Sequence, residues 1–376
     1  MTGRPRARDL GIPLDGEPGP GNALTDVSGV EVGQVTLVEG DGPLRVGAGP
    51  VRTGVTAVLP LGRDGVGQAC AAGWFSLNGN GEMTGTAWIE ESGGLTLPVL
   101  LTNTHAVGAC HRGVIDWVML RHPELARGWH LPVVAETWDG YLNDVNGSHV
   151  TPGHAMAAIS SAAGGPVDEG AVGGGTGMTC YGFKGGTGTA SRRVAYGQDG
   201  YTVGALVQAN FGARAELVVA GVPVGRELIE DNREDDADWL APPSSGSVIA
   251  LVGTDAPLLP GQCKALARRV PLGLARTGTT GSHFSGDLFL AFSTANPGAL
   301  NSESPRRDAA EDGYRTLRFL PWGRMDVLYA AVVQAVEEAV LNALVAGRTM
   351  VGRDRHRSPG LPHDRLRAAL GARRIT

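Results

Sequence analysis

The chain has 376 residues, 42% apolar and 19% charged, which excludes disorder and leaves one large domain or two smaller ones. Its net charge of −6, with no basic run outside the short tails, gives no reason to expect nucleic acid as a partner. Glycine is the outlier: 58 residues, about twice the usual share, without a Gly-X-Y period, so they are assigned to turns and to close approaches of backbone.

The N-terminus, Met1 to Asp9, is short, polar and basic, with no apolar stretch to make a leader. Strands are predicted over 54–61, 97–102 and 133–136, separated by turn clusters at 77–81 (LNGNG) and 91–94 (ESGG). A helix is predicted over 114–121, ended by His122-Pro123, and another from Thr151-Pro152 through Ala163. Two strands follow, 201–209 and 216–224. The segment 225–246 carries seven carboxylates between Glu227 and Asp238 and reads as exposed and mobile. After it come a strand at 247–252, a helix at 258–276, a strand at 287–293 and a long helix at 326–346. The tail beyond Arg348 is charged and is expected to pack loosely.

The most apolar stretch, 327–346, contains Gln334, Glu337, Glu338 and Asn342, so it reads as a buried or interface helix and not a membrane span. Cys70, Cys110, Cys180 and Cys263 form no C-x-x-C pair, which suits buried thiols in a reducing, cytoplasmic setting. Many strands, few helices and no regular β-α alternation predict an α+β class and one domain over 1–376.

Three familiar sites are excluded by spacing. The glycine runs at 173–177 and 185–188 are not a phosphate loop, because Phe183 and not glycine precedes Lys184. His149 and His154 are five apart, off helical register for two ligands, so no metal site is expected and no cofactor is implied. No G-x-S-x-G elbow occurs.

What remains is Gly246-Ser247, where the polar segment meets an apolar strand. If the bond before Ser247 is cut, the serine gains a free α-amine with an ordinary pKa of about 7.7–8.0. That amine can act as general base for its own hydroxyl. Gly246, lacking Cβ, suits the twisted geometry in which the hydroxyl attacks the preceding carbonyl. The same dipeptide also fits an ordinary turn into a strand.

The surrounding blocks separate the two readings: GNGEMTGTAWIEES (79–92), TNTHAVG (102–108), AETWDGYLNDVNG (135–147) and GGGTGMTCYGFKGGTGTASRR (173–193). They continue as VQANFG (207–212), TDAPLLP (254–260) and SGDLFLAFSTAN (285–296). In this order, over about 21–346, the sequence resembles the L-aminopeptidase/D-esterase and β-peptidyl aminopeptidase family. The resemblance implies a precursor that cuts itself into an α chain, 1–246, and a β chain, 247–376. It implies a four-layer αββα sandwich, like the N-terminal-nucleophile hydrolases but with different connectivity, assembled as multimers of αβ pairs. The implied activity is that of an aminopeptidase or amidase. A small D-, L- or β-amino acid would be released from a peptide or amino-acyl amide through an acyl-enzyme on Ser247.

Carried over by motif, the resemblance makes Ser247 the nucleophile and Asn210 the amide that holds the oxyanion. It sets Ser285 and Asp287 beside the nucleophile's amine and gives Glu136 the substrate's ammonium. Read without it, Asn210 could close a strand, Ser285 and Asp287 could form a turn, and Glu136 could be a solvated strand-end charge. Trp138 stands near where some members place a tyrosine, and an indole can donate but neither accept nor ionise usefully. Two other readings compete with this one. An acyltransferase like ornithine acetyltransferase would use threonine, so the serine counts against it. An unprocessed binding protein has no support at the catalytic positions.

Overall fold

Every residue from Val248 to Thr254 is buried, so that strand must be covered on both faces. The computed structural model, which describes residues 5–235, 246–302 and 314–372, shows how. Its first half contains β1 (Glu31–Glu39), β2 (Val51–Leu59), β3 (Cys70–Ser76), α1 (Thr86–Ser92), β4 (Gly94–Leu95) and β5 (Val99–Asn103). Next come α2 (Val107–Arg121), β6 (Val133–Thr137), α3 (Pro152–Ser160), β7 (Thr179–Cys180), β8 (Phe183–Lys184) and β9 (Gly186–Tyr196). Then follow β10 (Asp199–Asn210), β11 (Gly246–Thr254), α4 (Pro260–Ala267), α5 (Val270–Arg276) and β12 (Ser285–Ser293). The chain ends with α6 (Asp326–Ala346), β13 (Met350–Val351), β14 (Arg357–Ser358) and α7 (His363–Ala372).

A four-stranded sheet runs in the order β1-β2-β5-β6 and a six-stranded sheet in the order β4-β3-β12-β11-β10-β9. Both are antiparallel except for one parallel pair each, β5 with β6 and β11 with β12. Those parallel pairs need crossovers, supplied by α2 and by α4 with α5. Strand alternation then sorts the apolar residues into three cores. Ile249 and Leu251 join Val99, Leu101, Leu288 and Leu290 between the sheets. Val248, Ala250 and Val252 meet Leu266, Val332 and Val336 under α4 and α6. Val55, Leu100 and Val134 pack against Val114, Trp117 and Ile159 of α2 and α3. The result is the expected α+β sandwich of four layers, αββα. Helix α6 is long and apolar enough to cross a membrane, but most of it is buried inside this sandwich.

Several local expectations need correction. No strand covers 216–224: Ala220 and Gly221 take positive φ, and Val219 and Val222 exchange two 2.9 Å backbone hydrogen bonds. The apolar run therefore folds back on itself as a tight turn. The helix at 258–276 is two helices, because Pro271 falls in the first turn of α5 and carries no N–H for a continuous ladder. The charged tail is packed: His356 stacks on Tyr141 with ring centroids 4.6 Å apart, and Leu366 is fully buried. Of the polar segment, residues 236–245 lie outside the described residues, while Leu228 and Arg233 just before them are buried.

Candidate active site

The site lies where the two parallel pairs present opposite ends to each other, the C-terminal ends of β5 and β6 and the first residues of β11 and β12. Ser247 pairs with Asn210 on one side and with Gly286 on the other. It is 3% exposed, and its hydroxyl donates to the carbonyl of Gly246 at 2.6 Å. By alternation Ser247 shares the inter-sheet face of Ile249, and Asn210 that of Leu206. Both side chains therefore point toward β6. The Asn210 amide is held at both ends, its Oδ1 accepting from Thr179 N–H at 2.8 Å and its Nδ2 donating to Trp138 C=O at 2.9 Å.

Gly246 has a steric reason beside the conformational one offered from sequence. A Cβ there would sit 1.9 Å from the carbonyl oxygen of Asn210, while its φ is not in the left-handed region. The close approach of β10 to Gly246 requires the glycine.

Ser285 and Asp287 come together as expected. The Ser285 hydroxyl donates to Asp287 Oδ1 at 2.6 Å, and Val248 N–H reaches the same oxygen at 3.2 Å. Alternation puts them on the face of Phe289 and Ala291, opposite the Ser247 hydroxyl. They can therefore serve the backbone nitrogen of Ser247, which lies in the plane of the sheet, better than its Oγ. Burial raises the Asp287 pKa, against hydrogen bonds from Ser285, Asn78 and Val248. Asn78 is a residue that sequence reasoning missed: its amide donates to Asp287 Oδ2 at 2.8 Å and accepts Asp287 N–H at 2.6 Å. In sequence it belongs to the 77–81 turn cluster, and only its position beside the Ser-Gly-Asp unit in space distinguishes it.

Glu136 is buried near the end of β6. It accepts from Glu82 N–H at 2.9 Å and from the Thr104 hydroxyl, a second partner that the sequence did not single out. Burial raises its pKa, opposed by those two donors. The path from Glu136 to Ser247 is short. A Cβ on Gly81 would meet Glu136 Oε1 at 3.3 Å and Gly286 Cα at 2.9 Å, and Gly286 is the partner of Ser247. Trp138 contributes its carbonyl to the Asn210 clamp, and its ring packs over Gly140. Asp139, the other acid of that motif, is fully buried and hydrogen-bonded by Asn143 at 3.0 Å.

Ser247, Asn210, Gly286 and Glu136 thus lie close together at one end of the sandwich, with Ser285 and Asp287 on the other face of the same sheet. The sequence profile of peptidase family S58 matches residues 22–358 of this chain. A β-peptidyl aminopeptidase of Sphingosinicella microcystinivorans is 49% identical, the match covering 97% of this chain and 92% of that protein. Its counterpart from Sphingosinicella xenopeptidilytica is 46% identical, covering 98% and 92%. Among solved structures, the L-aminopeptidase D-Ala-esterase/amidase of Ochrobactrum anthropi, described as a variant of the Ntn-hydrolase fold, superposes with a TM-score of 0.90. It is 44% identical and covers 98% of this chain and 99% of its own. A Burkholderia β-aminopeptidase is 45% identical at a TM-score of 0.86, with the same coverage.

Proposed function

The chain belongs to peptidase family S58 and is a serine aminopeptidase of the N-terminal-nucleophile fold; from that premise we propose that Ser247 is both its processing site and its nucleophile. The observation that carries this is the Ser247 hydroxyl seated 2.6 Å from the carbonyl of the bond to be cut. In the precursor, Oγ adds to the Gly246 carbonyl carbon, the C–N bond breaks, and the Ser247 nitrogen leaves as an amine. Water then hydrolyses the resulting ester, leaving α chain 1–246 and β chain 247–376.

In the mature enzyme the freed amine takes the Oγ proton as Oγ attacks the substrate carbonyl, and returns it to the leaving amine. Asp287, oriented by Ser285, stabilises the ammonium that forms in between. The Asn210 Nδ2–H not used by Trp138 donates to the oxyanion, a contribution of about 3–4 kcal/mol for a preorganised donor. Glu136 receives the substrate's own ammonium, which offsets the cost of that buried carboxylate. The released residue is a small D-, L- or β-amino acid, and Trp138 bounds its pocket. The working form is a cytoplasmic oligomer of αβ pairs.

The test is the fate of the Gly246–Ser247 bond, followed by a substrate panel. Purified protein should yield two fragments, the smaller beginning Ser-Val-Ile-Ala, and Ser247→Ala should remain one inactive chain. Cleavage of the Ser247→Ala chain at this bond would exclude the intramolecular route. Amino-acyl p-nitroanilides of both chiralities and both backbone lengths should be cleaved only with a free amine. Equal rates on N-acetylated substrates would remove the aminopeptidase assignment of Glu136.

A further inference from the structure

Lys184 is one of two lysines in the chain and is fully buried. It pairs with Thr179 in the β7–β8 hairpin, and its ammonium donates to the carbonyls of Met178 at 2.5 Å, Gly185 at 2.9 Å and Gly175 at 3.4 Å. The first contact has a consequence through covalent structure. The Met178 carbonyl and the Thr179 N–H belong to one peptide plane, and that N–H is the donor to Asn210 Oδ1. A cation on the oxygen of a peptide fixes the plane and polarises it, which strengthens its N–H as a donor. The same polarisation passes through the Asn210 amide to its Nδ2–H.

Resting on the oxyanion role given to Asn210 above, we propose that Lys184 is a positioning residue. It acts through the Met178–Thr179 peptide to hold and polarise the amide of Asn210.

The surroundings fit a role beyond packing. Burial pushes the Lys184 pKa down to about 7, opposed by the nearby Cys180 and Asp139, with Arg233 adding to the depression. An ammonium here is therefore costly to the fold, and a neutral, straight-chain substitute relieves that cost while leaving the hairpin's backbone pairing in place. The Asn210 clamp has a second jaw, the Trp138 carbonyl, so loss of Lys184 should loosen the amide without releasing it.

The experiment is a double-mutant cycle in the full-length, self-processed enzyme, with Lys184→Met, Asn210→Ala and the double variant, read as kcat and KM on an amino-acyl p-nitroanilide. Lys184→Met is expected to lower kcat about tenfold or more with KM within about twofold, the pattern of a group felt only in the transition state. In the Asn210→Ala background the same change should cost under about threefold, because its route to the oxyanion is gone. Lys184→Arg, which keeps the charge, should recover part of kcat. Equal losses in both backgrounds, or an unchanged kcat, would overturn the positioning role while leaving Asn210 intact as a donor. If Asn210→Ala itself leaves kcat unchanged, the oxyanion assignment fails first. Lys184→Gln is the second variant. If neither neutral variant folds while Lys184→Arg does, Lys184 belongs to the core alone and the proposal falls.

Discussion

Glu136 and Asp139 stand three residues apart at the end of β6, and burial acts on both with different results. Glu136 has two neutral donors and, in the role proposed for it, a ligand's charge to meet. Asp139 is enclosed, with one carboxylate oxygen accepting from Asn143 at 3.0 Å. Burial pushes its pKa up to about 7, against hydrogen bonds from Thr53, Asn143 and Asn103. The folded state therefore holds this proton more tightly than the unfolded chain does. Its contribution to stability is complete below the unfolded value of about 4 and is lost as pH rises through about 7. Asp139→Asn keeps an oxygen for Asn143 and removes the titration. Thermal unfolding should find the variant level with wild type near about pH 4 and a few degrees more stable near about pH 8. A constant difference across that range would mean that Asp139 is already ionised at low pH.

At the scale of elements, the entry of β11 between β10 and β12 decides the chemistry. Two glycines face their neighbours with no room for a side chain: Gly246 against the Asn210 carbonyl, and Gly286 with Asn80 O at 2.5 Å from where its Cβ would stand. Gly246→Ala must push β11 away from β10 at the bond proposed to be cut, and with it the Ser247 hydroxyl from the Gly246 carbonyl. The interior of β11, all apolar and buried, has no reason to unpair. The variant should fold with a circular dichroism spectrum like that of the precursor, yet remain largely uncleaved on a denaturing gel. Normal processing of Gly246→Ala would show that the close approach to β10 is not what aligns the bond.

Across the whole molecule, the proposed cleavage would divide the sequence without dividing the fold. In the six-stranded sheet, β10 and β3 from the α chain pair with β11 and β12 from the β chain. Helix α6 adds a buried ionic tie, with Glu338 accepting from Arg8 at 2.9 Å and from Arg192 at 2.7 Å. Burial alone would raise the Glu338 pKa, but the two guanidiniums and Asn22 outweigh it and hold the carboxyl below its ordinary range. That stability is present above the unfolded pKa and fades as pH falls through the lowered one. The two fragments should therefore co-elute as one species at neutral pH and separate only in denaturant. Glu338→Ala leaves Arg192 buried without its carboxylate, a loss of about 3–5 kcal/mol for a broken buried pair. Its unfolding midpoint should fall accordingly, and an unchanged midpoint would place the tie between the chains in the sheet alone.

The sequence determined the chemistry that is local in the chain. Alternation and apolar runs marked β11, β12 and the full length of α6. The ordered motif blocks carried the family, and with it the roles proposed for Ser247, Asn210, Ser285, Asp287 and Glu136. The Ser-Gly-Asp spacing alone put a hydroxyl and a carboxylate on one side of a strand. Tertiary structure decided what depends on distant partners. The apolar run at 216–224 became a turn because its backbone bonds close on themselves. The charged tail became ordered because His356 found Tyr141 and Leu366 a core. Asn78, Thr104 and Lys184 looked like turn, loop and glycine-run residues because what gives them a role is a hydrogen bond to a group on another element. A hydrogen bond is decided within about 3 Å in space, and no spacing along the chain reports that distance once the sheet has brought residue 78 beside residue 287.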